Sequence, residues 1–388
     1  MQGRVYRRRG NRWSYVVDVG YDVATGKRRQ QGRSGFATKA QAEKALRDLL
    51  TSIEHGTYVA STPTTLKEYL DGWLETTKLR IRETTWHSYA LSVKRLNSQL
   101  GAVKLQALTP LQIETCYARL LLSGGRRGRP LSTKTVRNVH IVLHRALSDA
   151  ERLGLVPRNA AQAAKAPIGQ RAEMVTWTSE ELAAFLEYVA SDRLYAAYVL
   201  LATTGMRRGE VLGLRWSDVD LQRGRLSIAH TITTMYDTVI IGPTKSNRSR
   251  RNVSLDPETV RVLKAHRRAQ AQERLAAGEL WDPAPGLVFC QEDGTYVHPD
   301  RFTDTFQRHV RETGLPKLRG PHGLRHTWAT LALQSGVHPK VVSDRLGHST
   351  IAVTIDTYSH VAPSLDADAA NVVAATILGP RSKQPVGS

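Results

Sequence analysis

The stretch His322-Gly323-Leu324-Arg325-His326-Thr327 is the most informative part of the chain. His322 and Arg325 are three residues apart, so on a helix they lie on the same face. Four other segments carry side chains of the same kinds: TTGMRRGE (203–210), GPTKSNRSRR (242–251), LGHS (346–349) and DTYSH (356–360). Together the five segments present six candidate residues, which are Arg207, Lys245, His322, Arg325, His348 and Tyr358.

Five of these six side chains suit the binding of one phosphodiester. A guanidinium donates two parallel hydrogen bonds to phosphate oxygens and keeps its charge, so Arg207 and Arg325 can hold both non-bridging oxygens in a pentavalent transition state. His322 and His348 can donate to the same phosphate or transfer the proton of a nucleophile. Lys245 suits protonation of an alkoxide-like leaving oxygen, because the ordinary pKa of lysine is about 10.4.

Tyr358 is the candidate nucleophile. Its phenol has an ordinary pKa of about 10, which several neighbouring cations would lower. Attack on phosphorus gives a phosphotyrosine, a covalent intermediate. Because that bond stores the energy of the broken phosphodiester, the reaction can reverse onto another DNA end without ATP. The pattern therefore predicts transfer of DNA strands with no metal and no other cofactor.

Simpler explanations exist for the same side chains. Either arginine alone is as well explained by a salt bridge, and Glu210 is a ready partner for Arg207. His322 and His326 are spaced i, i+4, and with His348 and His360 they suggest a metal cluster. The glutamate that accompanies the histidines of a zinc protease helix is missing, and Arg325 lies between them. Cationic neighbours disfavour a bound cation, so we expect no metal.

Composition bounds the class of protein. At 388 residues the chain is expected to form two to three domains, and 55 Lys and Arg against 35 Asp and Glu give a net charge of +20. Such an excess is typical of nucleic-acid binders, although a ribosome-associated or merely basic protein would share it. Two cysteines form neither a disulfide framework nor a four-cysteine zinc site. The N-terminus does not have the apolar stretch of a signal peptide, and no apolar run approaches the ~20 residues that cross a bilayer. We therefore expect a cytoplasmic, nucleoid-associated protein with no membrane partner.

Residues 1–58 are predicted to form three short strands and one helix. The strands are expected near 4–7, 13–19 and 28–33, and the helix over 39–54 behind a Thr38–Gln41 capping box. Residues 1–36 hold nine basic side chains against two acidic ones, which favours a DNA-binding sheet over a merely solvated one. The candidate contacts are Arg7, Arg8, Arg9, Arg12, Lys27, Arg28, Arg29 and Arg33.

Residues 64–165 are predicted to form a four-helix bundle, with Pro110 opening its third helix and Ser132 or Thr133 capping its fourth. The basic loop of Arg126, Arg127 and Arg129 suits a clamp on the DNA backbone and equally suits an ordinary solvated loop. The Ala- and Pro-rich stretch 160–170 is typical of a linker.

Residues 174–380 are predicted to be mostly helical. One small sheet is expected over 225–255, with 244–251 at its turn and with Arg248 and Arg250 as further DNA contacts. Residues 381–388 are predicted to be a flexible tail.

The five segments, in this order, strongly resemble the tyrosine recombinases of the phage-integrase family. Met206-Arg207 with Glu210 is similar to the first arginine box, Thr244-Lys245 to the β-hairpin lysine, and 322–326 to the His-x-x-Arg box. Residues 346–348 and 356–358 are similar to the second histidine and the nucleophilic tyrosine. The N-terminal sheet resembles an arm-type DNA-binding domain, and the bundle resembles a core-binding domain. Gly323 departs from the acidic residue of many relatives, and the spacing from His348 to Tyr358 is slightly longer than in some of them.

The resemblance implies a multidomain, mainly α protein of the tyrosine recombinase fold that clamps double-stranded DNA at core-type and arm-type attachment sites. A homotetramer would exchange strands through a 3′-phosphotyrosyl link and a Holliday junction, with Lys245 as general acid and with an excisionase and a host DNA-bending protein as possible partners. The helix near 365–377 would dock on a neighbouring protomer. The arm-like domain points to integration of a phage or mobile element, in a bacterial host, and the Ala- and Arg-rich sequence suggests an actinobacterial one. The alternatives are a dimer-resolving recombinase, a type IB topoisomerase-like activity and a non-catalytic DNA-binding regulator.

Overall fold

The computed structural model describes residues 3–8, 12–21, 26, 28–55, 58–169, 174–235, 238–243, 250–282, 286–348, 350–358, 373–374, 376–377 and 379. The chain divides into two compact units, Met1–Arg171 and Ala172–Ser388. Within the described residues, no helix combines the length and the apolar character that a bilayer crossing requires. The predicted tail 381–388 and most of the predicted helix 365–377 lie outside the described residues.

The first unit begins with an antiparallel sheet of three strands in the order β1-β2-β3. Its elements are β1 (Gly3–Arg8), β2 (Arg12–Tyr21) and β3 (Arg28–Phe36), followed by helix α1 (Lys39–Glu54). Tyr15 and Val17 of β2 bury against Leu46 of α1, as the alternation of apolar residues in β2 requires. The sheet and helix are therefore confirmed.

The start of α1 differs in one detail from the prediction. Thr38 is the N-cap and accepts a hydrogen bond from the backbone N–H of Gln41, as expected. The side chain of Gln41, however, accepts from the backbone N–H of Ala37. The reciprocal bond of a capping box is thus displaced by one residue.

Four long helices and one short helix complete the first unit. They are α2 (Leu66–Lys78), α3 (Glu83–Leu100), α4 (Pro110–Ser123), α5 (Thr133–Arg152) and α6 (Ala160–Ala163). Pro110 opens α4 and Ser132 caps α5, as predicted. The linker prediction is wrong for residues 160–164, because Asn159 caps α6 and the small side chains of Ala161 and Ala164 are buried in the helical core.

The second unit is mostly helical and contains two small sheets. Its helices are α7 (Ser179–Tyr188), α8 (Tyr195–Thr204), α9 (Arg208–Leu212), α10 (Pro257–Ala277), α11 (Pro299–Glu312), α12 (His322–Gln334), α13 (Pro339–Leu346) and α14 (Ile351–Tyr358). Its strands are β4 (Val219–Asp220), β5 (Arg225–Ile228), β6 (His230–Met235), β7 (Thr238–Pro243) and β8 (Arg251–Ser254). Helix α8 is apolar on every side and lies in the core, which is typical of a helix enclosed by its neighbours.

The prediction of one sheet over 225–255 is wrong in its pairing. Strands β4, β5 and β8 form one antiparallel sheet, and β6 and β7 form a separate hairpin. The chain changes partner at Ala229, because Ile228 pairs with Arg251 whereas His230 pairs with Pro243. The strands on either side of the predicted turn 244–251, β7 and β8, belong to different sheets. The conformation of 244–249 itself lies outside the described residues.

Candidate active site

Arg325 is a buried guanidinium in α12, with only 2% of the residue exposed. Its Nη1 donates to the carbonyl of Gly205 at 2.9 Å, and its Nη2 donates to the carbonyl of Leu346 at 2.8 Å. Gly205 ends α8 in the left-handed conformation, and Leu346 ends α13. Arg325 therefore joins three helices whose sequences are far apart in the chain.

Arg207 lies two residues after Gly205, at the N-cap of α9. Its Nη1 is 2.8 Å from Oε1 of Glu210, and its backbone N–H donates to Oε2 of the same carboxylate at 2.9 Å. Its Nη2 donates to the carbonyl of Gly347 at 3.4 Å. The ion pair between Arg207 and Glu210, which the sequence offered as an alternative to phosphate binding, is thus present. Even so, 39% of the Arg207 side chain is exposed. The pair holds the guanidinium in place and leaves it open to a ligand.

His348 follows the left-handed Gly347 that ends α13. Its Nδ1 is 2.8 Å from the hydroxyl of Thr354 in α14, so the ring orientation is set by a residue of the helix that ends at Tyr358. Burial, and then the positive charges of Arg325 and Arg207, lower the pKa of His348 to about 4. The ring is therefore neutral at pH 7.

His322 is the first residue of α12 and packs edge-on against His326, with 4.7 Å between the ring centroids. Desolvation by the protein around the ring, and then the charges of His326, Arg325 and Arg207, lower the pKa of His322 to about 4. Across the described residues, no three His, Cys, Asp or Glu side chains are grouped so that they could hold a metal ion. His360 of the alternative metal cluster lies outside those residues.

The structure brings four of the six candidate residues together. Arg325 and Arg207 bind the carbonyls of consecutive residues, Leu346 and Gly347, and His348 comes next in the chain. His322 lies on the same helix as Arg325 and within electrostatic range of His348. Tyr358 is the last residue of α14, but its side chain lies outside the described part of the structure, as does Lys245 with the whole segment 244–249.

Arg251 is a site residue whose role the sequence did not predict. Its guanidinium is buried against Glu210, the carboxylate that the sequence offered as a partner for Arg207, with Nη2 2.9 Å from Oε2. Its Nε donates to the carbonyl of Arg345 at 2.6 Å. The one available signal was the alternation of polar and apolar residues after Arg251, with Val253 and Leu255 apolar, which is typical of a strand.

Gly323 is explained by packing. A Cβ at this position would lie 2.7 Å from Cβ of Leu318, so a side chain does not fit without movement. The acidic residue that many relatives carry here is therefore excluded by a local neighbour.

The predicted DNA contacts are exposed where the structure describes them, but those of the N-terminal sheet do not all lie on one face. Arg7 in β1 pairs with Trp13 in β2, and Arg12 precedes Trp13 in that strand, so Arg7 and Arg12 lie on opposite faces of the sheet. Arg28 forms an ion pair with Asp18 at 2.6 Å. Arg12 donates to the carbonyl of Gly35, and Arg33 lies over the ring of Phe36. Exposed side chains also include Arg126, Arg127, Arg129 and Arg250; the side chains of Arg8, Arg9, Lys27, Arg29 and Arg248 lie outside the described residues.

Three known domain families match successive parts of the chain. Residues 3–53 match an arm DNA-binding domain, residues 65–121 match the N-terminal SAM-like domain of phage integrases, and residues 176–364 match the phage integrase family. An integrase of Streptomyces ambofaciens is 29% identical over 357 residues, which cover 89% of this chain and 89% of that relative.

Two solved structures have the same fold. The Tn1549 transposon integrase in complex with transposon right end DNA has a TM-score of 0.69 at 20% identity, over 80% of this chain and 99% of the other. The lambda integrase tetramer bound to a Holliday junction has a TM-score of 0.54 at 19% identity, over 89% of this chain and 95% of the other. These likenesses confirm the tyrosine recombinase fold that the five segments predicted. The chain belongs to the phage integrase family of tyrosine recombinases.

Proposed function

We propose that this chain is an integrase, an enzyme that breaks and rejoins DNA in site-specific recombination and so integrates a phage genome or another mobile element. The observation that carries the proposal is the convergence of Arg207, Arg325 and His348 on the end of α13. Helix α14 starts three residues after His348 and ends at the candidate nucleophile, Tyr358. A phosphate-binding cluster and a tyrosine are thereby linked by one short helix.

The cluster is suited to a phosphorane. Arg207 and Arg325 keep their charge at every physiological pH and can donate to the non-bridging oxygens as negative charge builds on them. His322 and His348 are neutral at pH 7, because the pKa of each is lowered to about 4. A neutral imidazole can donate one hydrogen bond and accept another, so either histidine can stabilise the phosphate or receive the phenolic proton.

The reaction we propose starts with attack of the Tyr358 oxygen on the scissile phosphorus. The bond from phosphorus to the 5′ oxygen breaks, Lys245 supplies the proton for that oxygen, and a 3′-phosphotyrosine remains. Attack by the 5′-hydroxyl of the partner duplex then reverses the chemistry and regenerates the tyrosine. The number of phosphodiester bonds is unchanged, so no ATP is needed, and the charges of Arg207 and Arg325 would supply the stabilisation that a metal ion supplies in other phosphoryl-transfer enzymes.

The assembly we propose is a tetramer that joins two duplexes and proceeds through a Holliday junction. The lambda integrase tetramer on such a junction, which shares this fold, supports it. Residues 1–58 would bind arm-type sites, 64–165 core-type sites, and 174–380 would carry the chemistry, with 381–388 as a tail. The segment 365–377 would dock on a neighbouring protomer, and an excisionase and a host DNA-bending protein would set the direction. The site of action would be the nucleoid, in the cytoplasm of a bacterial host.

The test is capture of the covalent intermediate on a nicked duplex that carries the element's own integration junction. The nick lets the short downstream fragment, which carries the new 5′-hydroxyl, diffuse away after cleavage, so the protein stays attached to the 3′-phosphate of the labelled strand. We expect a slowly migrating protein–DNA band on a denaturing gel, formed equally well in EDTA. Tyr358→Phe should abolish the band and keep DNA binding, because only a hydroxyl is lost.

Tyr296→Phe is the matched control, since Tyr296 is an exposed tyrosine of the same unit, and it should leave the band unchanged. Salt-dependent binding without any covalent band would favour the non-catalytic regulator. Loss of the band in EDTA would favour the histidine–metal alternative.

A further inference from the structure

The carboxylate of Glu210 is shared by two arginines. Only 3% of the Glu210 side chain is exposed, and only 7% of that of Arg251. Arg251 approaches both oxygens, with Nη1 3.1 Å from Oε1 and Nη2 2.9 Å from Oε2. Arg207 approaches the same two oxygens through its Nη1 and its backbone N–H. A bidentate pair of this kind fixes both orientation and distance.

The charges of this cluster do not cancel. Glu210 contributes one negative charge and the two arginines contribute two positive ones, so one positive charge remains. Burial by itself would raise the pKa of Glu210, but the hydrogen bond and charge of Arg251, together with the charge of Arg207, hold that pKa below its ordinary value. Glu210 is therefore ionised at neutral pH. If Arg251 were absent, Arg207 alone would have to compensate this buried carboxylate.

Arg251 also holds the end of α13. Its Nε binds the carbonyl of Arg345, while Arg325 binds that of Leu346 and Arg207 that of Gly347. Three consecutive carbonyls at the negative end of a helix are thus each bound by a guanidinium. The backbone of Arg251 is itself fixed, because it pairs with Ile228 in the sheet of β5 and β8. Arg251 therefore anchors to that sheet the peptide segment that leads into His348.

We propose that Arg251 is a positioning residue for DNA cleavage: it neutralises Glu210, so that the charge of Arg207 is left for the scissile phosphate. The inference rests on the proposed function, in which Arg207 binds that phosphate. Because Arg251 is buried against Glu210, its proposed contribution to cleavage is electrostatic and acts through Arg207, in addition to the hydrogen bond that holds the end of α13.

The experiment measures the single-turnover rate of covalent capture at saturating DNA for three variants: Arg251→Met, Glu210→Gln and the double variant. Removal of one preorganised hydrogen-bond donor from a transition state lowers the rate about 10²- to 10³-fold. In Arg251→Met the donor that is weakened is Arg207, so we expect this variant to slow covalent capture about 100-fold. In the double variant no carboxylate charge remains to hold Arg207. Capture should then recover at least about 10-fold relative to Arg251→Met, in proportion to the charge that Arg207 regains.

A second substrate separates charge from structure. When the scissile phosphate is replaced by a methylphosphonate, one non-bridging oxygen and its negative charge are lost, and less compensation by Arg207 is required. The defect of Arg251→Met relative to the unsubstituted protein should therefore shrink at least about 10-fold on this substrate. A residue that only supports the fold would show the same defect on both substrates.

Arg193 provides the matched control. It forms a bidentate pair with Glu273, at 2.6 Å for both contacts, elsewhere in the same unit. Arg193→Met should lower the thermal midpoint and leave the capture rate of the folded protein unchanged on both substrates. If Arg251→Met does not fold, Arg251→Lys keeps the charge but not the bidentate geometry, and we expect a defect of about 10-fold that again shrinks on methylphosphonate.

Equal defects on both substrates, together with no recovery in the double variant, would overturn the proposal. Capture by the unsubstituted protein reports separately on the proposed function. A protein that forms no covalent product at all refutes that function, whereas a wild-type product with an unaffected Arg251→Met variant refutes only the role of Arg251.

Discussion

Gly205→Ala is the substitution whose effect the structure predicts in most detail. Gly205 has a φ of +66°, and a Cβ built on it would lie 2.7 Å from Cδ2 of Leu346 and 2.8 Å from Cε3 of Trp328. Its carbonyl accepts the hydrogen bond from Arg325. One methyl group thus meets a strained backbone and the side chains of Leu346 and Trp328, beside the carbonyl that holds Arg325.

The magnitude follows from two separate costs. The left-handed conformation costs a non-glycine residue about 1–2 kcal/mol. Insertion of a methyl group into a packed site costs a further ~1–3 kcal/mol, because Leu346 and Trp328 must move. We therefore expect Gly205→Ala to lower the free energy of unfolding by about 2–5 kcal/mol. Movement of the Gly205 carbonyl should also displace Arg325 and slow DNA cleavage by the protein that remains folded.

Gly336→Ala is the control, since Gly336 has a φ of +79° and nothing lies within 4 Å of a Cβ there. It carries only the backbone cost, so we expect a loss of about 1–2 kcal/mol and an unchanged cleavage rate. The assay is denaturant unfolding of both variants, followed by single-turnover cleavage at a temperature where both are folded. Equal losses of stability in the two variants, or normal cleavage by Gly205→Ala, would refute the account of Gly205 as the support of Arg325.

Three further predictions concern pH, packing and the N-terminal domain. The pKa of His348 is about 4 in the folded chain, against an ordinary value of 6.5. Between these two pH values the unfolded chain binds more protons than the folded chain, so the free energy of unfolding should fall as the pH drops from about 6.5 to about 4. His348→Gln should weaken that pH dependence in denaturant titrations at pH 7 and 5, and an unchanged slope would contradict the shift. Gly323→Ala should cost about 1–3 kcal/mol, because its methyl group meets Cβ of Leu318, and less in a Leu318→Gly background, which lacks that Cβ; equal costs in both would exclude the clash. Deletion of residues 1–60 should leave cleavage of a core site unchanged and weaken binding to arm-type DNA in a mobility-shift titration. Unchanged binding to arm-type DNA would mean that this domain has another role.

Much of the site was predictable because its side chains recur in short segments with a local geometric meaning. His322 and Arg325 share a face of α12 because of their spacing, and Arg207 follows α8 because Gly205 stops that helix. The amphipathic faces of the bundle followed from periodicity in the same way. Such features depend on neighbours within one or two helical turns, which a sequence displays directly.

The features that were missed depend on contacts between distant parts of the chain. Arg251 was not singled out within the basic segment 242–251, because its environment is set by Glu210, 41 residues earlier, and by the end of α13. The separation of the β region into two sheets depends on which strands pair across Ala229, and alternating residues do not reveal the partner. Ala161 and Ala164 looked like linker residues, because small side chains do not show in a sequence whether a core will cover them.

The most direct test of the account is identification of the residue that carries the DNA. The covalent complex would be trapped on the nicked duplex, digested with nuclease and trypsin, and analysed by mass spectrometry. Cleavage after Arg345 and Arg381 releases the peptide 346–381, in which Tyr358 is the only tyrosine. We predict a nucleotide joined through its 3′-phosphate to Tyr358 in this peptide. A nucleotide on any other residue, or one joined through a 5′-phosphate, would contradict the assignment of Tyr358 as the nucleophile.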